Sequence, residues 1–300
     1  MIPHPFEYHR ANSLEDASRL LSALGSEAKV LAGGQSLIPL MKLRLARPSC
    51  LVDLNHIPGA AYIEQQNGHL RIGAMTRHFA IEDSAVAARI PILHDCAAGI
   101  ADAQVRNMGT IGGSVAEADP HGDWAPVLLA LGAEVESVGP GGTRTVPMAQ
   151  FIKDAFTTVL GPAELVREIR VPTPPVRSAG AYMAFKRCAP VYPTASAAVQ
   201  VTMMDEDFCL NAHIALGCVG LIPIVAKEAE AALFEQAVTP LSIERAADAA
   251  MAAADPQADV RGSVDYKRLL VRALTRRALL AALARARGET VEVSHEYAGR

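Results

Sequence analysis

The chain has 300 residues, of which 50% are hydrophobic and 20% are charged, and this balance excludes a disordered or highly solvated protein. A formal net charge of −4 and an aromatic content of 5% argue against a nucleic-acid-binding surface. At about 150 residues per domain, the length predicts roughly two domains.

The cysteines argue against metal clusters. The chain has five cysteines and no C-x-x-C pair, so neither an iron–sulfur cluster nor a structural zinc site is expected. The N-terminal residues resemble no secretory signal, and no apolar run approaches the ~20 residues that a membrane span needs. We therefore expect a protein of the reducing cytoplasm without a membrane span.

The first half of the chain alternates short strands with helices. A capping-box-like start at Ser13 and apolar residues at helical spacing predict a helix that Gly25 ends. The strands predicted after it are 29–32, 51–54, 69–73, 110–115 and 133–138, and the helices are 76–88, 91–98 and 123–131.

A proline-rich stretch at 172–175 predicts a domain boundary, because three prolines in four residues continue neither a helix nor a central strand. Strands are predicted beyond it at 181–187, 195–203 and 208–217, then helices at 223–235, 242–254 and 264–287. This order indicates an α+β class, with helices on one face of an antiparallel sheet. The expected domains are 1–175, with subdomains of about 1–55 and 56–175, then 176–288, followed by a polar tail at 289–300.

Two glycine-rich segments are the candidates for ligand binding. Gly33-Gly34 follows a predicted strand and leads to Ser36, and Gly112-Gly113 leads to Ser114. Paired glycines bring backbone N–H donors close to a phosphate without an obstructing Cβ. The alternative is that each pair only makes a tight turn.

The other candidate motifs indicate structure rather than catalysis. The sequence has no P-loop, no G-x-S-x-G and no H-E-x-x-H motif. His94, Asp95 and Cys96 are consecutive, so on a helix they point in different directions and form no triad. The segment 119–123 has the composition of a turn, with Asp123 where a helix would take its N-cap. We expect neither a metal nor a catalytic acid or base.

Seven segments of the chain match the motifs of one family in order, and the two glycine-rich loops among them are highly specific together. The seven segments are Pro5–Tyr8, Ala32–Pro39, Ile100–Asn107, Thr110–Ser114, Ala118–Pro120 with Asp123, Glu164–Ile169 and Phe185–Arg187. In these segments the chain resembles the flavoprotein (medium) subunit of molybdenum hydroxylases. That family includes the carbon monoxide dehydrogenase medium subunit and the FAD segment of xanthine dehydrogenases.

The resemblance implies an FAD-binding fold of the vanillyl-alcohol-oxidase (PCMH) type, built from two α+β subdomains, with a C-terminal α+β domain. By position, the residues implied to contact FAD are Val30, Leu31, Ala32, Gly33, Gly34, Gln35, Ser36, Leu37, Ile100, Thr110, Ile111, Gly112, Gly113, Ser114, Asp123, Val166, Lys186 and Tyr192. Asp123 suits a ribose hydroxyl, and Lys186 offers a cation to a nucleotide or flavin oxygen. The alternative for Lys186 is a solvated strand residue paired to a surface carboxylate, and for Tyr192 a core or surface tyrosine.

The resemblance also implies a function in electron transfer. In the family, a molybdopterin large subunit oxidises the substrate, and a [2Fe–2S] small subunit relays electrons to FAD and on to NAD or another acceptor. The implied assembly is a dimer of heterotrimers. Two alternatives stay open at this point, a self-contained FAD oxidoreductase of the same fold and a flavin-free assembly subunit.

Overall fold

The N-terminal part is a small parallel sheet with one amphipathic helix. The computed structural model describes residues 2–188 and 191–293, so the last part of the predicted polar tail, 294–300, lies outside the described residues. The first elements are β1 (Glu7–Arg10), α1 (Leu14–Leu24), β2 (Ala28–Leu31), α2 (Leu37–Lys42) and β3 (Cys50–Asp53). Strand β3 lies between β1 and β2 and is parallel to both. As predicted, Ser13 caps α1 and Gly25 ends it with a φ of 72°.

The middle of the chain forms an antiparallel sheet covered by helices. Its elements are β4 (Ile63–Gln66), β5 (His69–Gly73), α3 (His78–Glu82), α4 (Pro91–Gly99), α5 (Ala103–Met108), α6 (Ile111–Glu117), α7 (Trp124–Ala130), β6 (Glu134–Gly139), β7 (Gly142–Pro147), α8 (Met148–Phe151), β8 (Ile152–Asp154), β9 (Thr157–Thr158) and β10 (Leu165–Pro172). The sheet order is β4-β5-β10-β6-β7. Leu70, Ile72 and Ile169 of the sheet and Trp124 of α7 are fully buried in one core.

The central strand β10 carries a buried charge. The Glu168 side chain is 0% exposed and accepts hydrogen bonds from Arg71 of β5, from Arg170 and from Tyr62. Burial by itself would raise the pKa of Glu168, but these hydrogen bonds lower it from 4.5 to about 2. The carboxylate therefore stays ionised and links two adjacent strands.

Residues 111–115 are helical and Thr110 makes only an isolated β-bridge with Arg77, so the prediction of a β-like stretch over 110–115 is wrong. Thr110 caps α6 by accepting a hydrogen bond from the Gly113 N–H at 3.1 Å. The Ile111 N–H donates to the Thr76 carbonyl at 3.0 Å, and the Gly112 N–H donates to the Ala74 carbonyl at 2.9 Å. These long-range contacts override the local pattern, because a glycine in α6 permits a backbone approach that no side chain would allow.

The C-terminal part is an antiparallel sheet with helices. Its elements are β11 (Ser178–Phe185), β12 (Ala195–Met203), β13 (Phe208–Gly217), β14 (Ile224–Val225), α9 (Lys227–Ala231), β15 (Gln236–Ala237), α10 (Pro240–Ala253) and α11 (Val264–Ala286). The predicted α+β class is confirmed. The predicted helix 223–235 is wrong over most of its length, because Ile224 and Val225 pair with β13 as an edge strand and only α9 is helical.

Both faces of this second sheet are covered. Helix α11 packs against β11 and β12 from within the C-terminal part, and α4 and α7 of the preceding part pack against the sheet as well. Asp95 of α4, 2% exposed, accepts two hydrogen bonds from Arg285 of α11, at 2.6 and 2.9 Å. It also accepts one from the Tyr182 N–H at 3.2 Å. This buried bidentate ion pair fixes the C-terminal part against the middle of the chain.

Candidate functional site

A cavity of about 570 Å³ lies between the two glycine-rich segments and is closed on one side by residues of the C-terminal part. No helix in the described ranges is long and apolar enough to cross a membrane. Most of the residues predicted to contact a cofactor line it. They are Val30, Ala32, Gly33, Gly34, Gln35, Ser36, Leu37, Ile100, Thr110, Gly113, Ser114, Asp123, Lys186 and Tyr192.

Four of the predicted residues lie behind the wall instead. Ile111 and Val166 are buried in the core of the middle sheet, 0% and 5% exposed. Leu31 pairs with Asp53 in the N-terminal sheet. A Cβ on Gly112 would lie 2.5 Å from the Ala74 Cβ, so this glycine faces the core. A direct contact of these four with a cofactor stays a prediction that the geometry does not support.

The first glycine-rich segment presents free donors to the cavity. The backbone N–H groups of residues 33–37 donate no hydrogen bond to any other backbone group among the described residues. Gly33 and Gly34 are buried, and an unpaired N–H group away from water is costly. A run of such groups is an anion-binding arrangement.

The two glycine-rich segments pack directly against each other. A Cβ on Gly33 would lie 2.7 Å from the Gly109 Cα, and Gly34 has a φ of 71°. Only glycine permits this approach and this backbone conformation without strain. The sequence showed two separate loops, whereas in the fold they form one wall.

Two polar residues that the sequence did not single out hold this wall together. The Arg77 guanidinium donates to the Met108 carbonyl and, at 2.6 Å, to the Asn55 side chain. Asn55 donates in turn to the Ala32 carbonyl at 2.9 Å. Arg77 and Asn55 therefore clamp the first glycine-rich segment to the turn before the second. Neither residue belongs to a recognisable motif, so their role in holding the two segments together is seen only from their positions in the folded structure.

The second segment contributes space rather than donors. The Gly113 N–H is used by the Thr110 hydroxyl, and the Ser114 N–H donates to the Thr110 carbonyl at 3.0 Å. A Cβ on Gly113 would meet only Thr110 Oγ1 at 2.8 Å and the Ala32 Cβ at 3.8 Å. The backbone donors of the second pair are thus used within the chain, and its role as a phosphate donor stays a prediction. Gly113 keeps the cavity open where a side chain would enter it.

The opposite wall holds a buried ion pair. Asp123 and Lys186 are 7% and 6% exposed, and Lys186 Nζ lies 3.4 Å from Asp123 Oδ1. Lys186 also donates to the Gly99 carbonyl. The alternative of a solvated strand lysine is therefore wrong. The Asp123 side chain does not cap α7, although the residue stands at the N-cap position.

Tyr182 fixes Asp123 from behind the wall. Its hydroxyl donates to Asp123 Oδ1 at 2.8 Å, and its ring is fully buried. Burial and the nearby Asp123 carboxylate raise the pKa of Tyr182 well above its ordinary value, so the hydroxyl remains a donor. The same residue binds Asp95 through its N–H, so the C-terminal part is connected to the cavity wall through Tyr182.

The rim carries titratable groups. Tyr192 is 47% exposed, and its ring centroid lies 6.1 Å from that of His121. Burial, and then the Asp119 carboxylate, raise the pKa of Tyr192. Burial would also raise the pKa of Asp119, but hydrogen bonds with His121 lower it below its ordinary value. Burial and the Asp119 charge raise the pKa of Glu117. The segment 119–123 is a turn, as expected, since the His121 N–H donates to Asp119 Oδ1.

The histidine on the cavity wall is neutral and packed. Trp124 Nε1 donates to His78 Nδ1 at 3.1 Å, and a Cβ on Gly109 would lie 2.7 Å from His78 Nε2. Burial lowers the pKa of His78 to about 4, with Arg77 and Arg106 adding to the effect. His78 therefore packs beside Gly109, before the second segment, and its lowered pKa means that the ring takes up no second proton near neutral pH.

Comparison with known proteins shows which family has this architecture. Residues 4–174 match the family model described as the FAD binding domain in molybdopterin dehydrogenase. The chain belongs to this family of flavoproteins. Residues 180–282 of the flavoprotein match the model described as the CO dehydrogenase flavoprotein C-terminal domain. The resemblance inferred from the sequence is confirmed, and so are the FAD-binding fold, the cofactor FAD and the oxidoreductase class.

The relatives match over their whole length. The flavoprotein is 41% identical to the carbon monoxide dehydrogenase medium chain of Afipia carboxidovorans, over 96% of this chain and 100% of that one. It is 39% identical to the 6-hydroxypseudooxynicotine dehydrogenase complex subunit alpha of Paenarthrobacter nicotinovorans, over 98% and 100%. A solved chain of the carbon monoxide dehydrogenase of Hydrogenophaga pseudoflava superposes with a TM-score of 0.92 at 42% identity, over 95% of this chain and 99% of that one.

The residues present fit FAD. The free N–H groups of residues 33–37 suit an anionic pyrophosphate, and the cavity beside Gly113 leaves room for it. Lys186 would offer a buried cation, and Asp123 a buried carboxylate, to polar groups of a nucleotide.

Proposed function

We propose that this flavoprotein is the electron-transfer subunit of a molybdenum hydroxylase complex. It receives electrons from the [2Fe–2S] clusters of a small partner subunit and passes them to NAD or another acceptor. A molybdopterin large subunit oxidises the substrate, and the three subunits assemble in the cytoplasm as a dimer of heterotrimers. Bound FAD supplies the redox chemistry, because a flavin accepts electrons singly and releases one or two.

The main structural support for the proposal is the run of unpaired backbone N–H groups at residues 33–37. These donors belong to residues that line a cavity bounded on the other side by the buried pair of Asp123 and Lys186. This chain's own residues therefore bind and orient the cofactor through fixed dipoles and charges. The cofactor contacts proposed for the fourteen cavity-lining residues rest on this geometry.

The cavity favours electron transfer over substrate turnover by the lone chain. A self-contained oxidoreductase that abstracts a substrate proton needs a group that titrates near the working pH. His78 has a pKa of about 4 and is enclosed by Trp124 and Gly109. Glu117, whose pKa burial raises, is the one wall residue that favours the self-contained alternative.

The relatives support a division of labour between subunits. Two relatives of nearly equal identity carry names of enzymes with different substrates, carbon monoxide and 6-hydroxypseudooxynicotine. One flavoprotein fold thus occurs with unrelated substrates, as expected if the substrate is oxidised elsewhere in a complex. The unpaired backbone donors of residues 33–37 argue against a flavin-free assembly subunit.

An exposed apolar surface beside the cavity suits a partner subunit. Helix α2 begins at the cavity with Leu37, and the residues that follow expose Leu43 and Leu45 by 57% and 75%. Arg44 and Arg47 are exposed in the same stretch. Adjacent exposed apolar residues rimmed by charge are typical of protein interfaces. We place the electron-donating subunit here, close to the cofactor.

Subunit reconstitution tests the proposal. The purified chain should bind FAD and yet oxidise neither an aldehyde nor an aromatic heterocycle. Addition of the iron–sulfur and molybdenum subunits should let such a substrate bleach the flavin absorbance. Efficient turnover by the lone chain, with no partner detectable, would establish the self-contained oxidoreductase. A folded chain that cannot be loaded with FAD would establish the assembly subunit.

A further inference from the structure

Three side chains with metal-ligating atoms meet at the start of the N-terminal sheet, outside the FAD cavity. Glu7 and His9 are two residues apart on β1 and therefore share one face of the strand. Cys50 of β3 stands directly opposite Glu7 in the parallel register. The ligand atoms of the three side chains all lie within 4.8 Å of one another.

The separations fit a tetrahedral zinc ion. His9 Nε2 lies 3.5 Å from Glu7 Oε2, and Cys50 Sγ lies 3.9 Å from the same oxygen. Zinc bonds of about 2.0 Å to nitrogen or oxygen and about 2.3 Å to sulfur place tetrahedral ligand atoms roughly 3.3–3.6 Å apart. The separations of His9 and Cys50 from Glu7 exceed these values by a few tenths of an ångström at most, and the ligand atoms of His9 and Cys50 lie within 4.8 Å of each other.

The burial of His9 Nε2 is an independent indication of a ligand. This nitrogen is buried and has no hydrogen-bond partner among the described residues, although a carboxylate oxygen lies nearby. An unpaired buried polar atom is uncommon in a native fold and calls for a missing partner. Glu7 is exposed, so the fourth position is open to water.

We propose that Glu7, His9 and Cys50 bind one Zn²⁺ ion, with water as the fourth ligand. Imidazole with thiolate favours zinc over magnesium or calcium, whose ligands are oxygen atoms. On binding, the Cys50 thiol loses its proton to the solvent, and no electron is transferred. The ligands lie on two strands 43 residues apart, so cysteine spacing in the sequence does not show the site.

A bound ion would link strands of the N-terminal sheet, which leads into one wall of the cofactor cavity. It would tie β1, the first strand of the chain, to β3, and β3 pairs with β2, which leads into Gly33. Zinc should therefore raise the thermal stability of the N-terminal sheet and leave the electron chemistry unchanged.

To test the site, the FAD-loaded, full-length chain is treated with a chelator and then titrated with zinc. Calorimetry should show one equivalent of Zn²⁺ bound and a rise in melting temperature. Glu7→Gln, a substitution at an exposed residue that folding tolerates, and Cys50→Ala should each weaken binding at least 100-fold. With Co²⁺ as the probe, the wild type should show thiolate-to-cobalt charge-transfer absorption that Cys50→Ala lacks.

Two matched controls identify adventitious binding. Cys188 is the exposed cysteine of the described chain, and His213 Nδ1 lies 4.0 Å from Glu230 Oε1 in a second histidine–glutamate contact. Cys188→Ser and His213→Ala should retain full zinc binding. The proposal is overturned if the wild type binds no stoichiometric zinc, if Glu7→Gln and Cys50→Ala keep it, or if Cys188→Ser abolishes it. FAD content is measured in every variant, so a failure of the cofactor assignment is seen separately.

Discussion

The adjacent glycines Gly112 and Gly113 should respond oppositely to substitution, because they face different environments on α6. A side chain on Gly113 enters the cofactor cavity and meets Thr110 Oγ1 at 2.8 Å and the Ala32 Cβ at 3.8 Å. A side chain on Gly112 enters the core and meets the Ala74 Cβ at 2.5 Å and the Ala74 carbonyl oxygen at 2.7 Å. One position should therefore affect cofactor binding, and the other should affect folding.

Gly113→Val should leave the unliganded chain folded. Gly113 is absent from the residues with positive φ, so valine meets no backbone strain there. Displacement of the Thr110 cap costs about 1 kcal/mol, and the loss of a helical glycine returns a few tenths. Overpacking against a bound phosphate costs about 1–3 kcal/mol, which corresponds to FAD binding roughly 5- to 150-fold weaker.

Gly112→Ala should show the reverse. Backbone atoms of Ala74 cannot rotate away, so overpacking should cost about 1–3 kcal/mol of unfolding free energy, partly offset by about 1 kcal/mol of helix propensity. Urea unfolding of the unliganded chains and fluorescence titration with FAD separate the two effects. Normal FAD affinity in Gly113→Val, or an equal loss of stability in both variants, would refute the assignment of Gly113 to the cavity wall.

Three further substitutions test the surroundings of the site. Tyr182→Phe removes the donor to Asp123 and should weaken FAD binding by about 1.5–3 kcal/mol, measured by titration; unchanged affinity would show that Asp123 needs no support. Arg285→Met leaves the Asp95 carboxylate buried without its ion-pair partner and should lower the unfolding free energy by about 3–5 kcal/mol. A loss below about 1 kcal/mol would show that the Asp95–Arg285 pair is not buried as described. The folded-state pKa of Glu168, about 2, lies below its ordinary 4.5, so its contribution is complete above about pH 4.5 and is lost as the pH falls towards 2. In Glu168→Gln, the unfolding free energy measured with urea should depend less on pH across that window. An unchanged pH dependence would show that other carboxylates cause it.

The sequence by itself determined the elements whose cause is local. The strands 195–203 and 208–217 have the predicted bounds, since alternating or continuous apolar residues between turns specify a strand directly. Helix α1 begins after Ser13 and ends at Gly25 for equally local reasons of capping. The order of the glycine-rich segments in the sequence also indicates the family to which the chain belongs.

Tertiary structure alone decided how those segments work. Ile111 and Gly112 are helical because their N–H groups bind Thr76 and Ala74, far back in the chain. The lysine of the Phe185–Arg187 segment is buried because Asp123 lies against it. Propensity and periodicity describe a residue relative to its sequence neighbours, whereas burial, ion pairing and the approach of two backbones depend on residues that the fold brings together from distant positions.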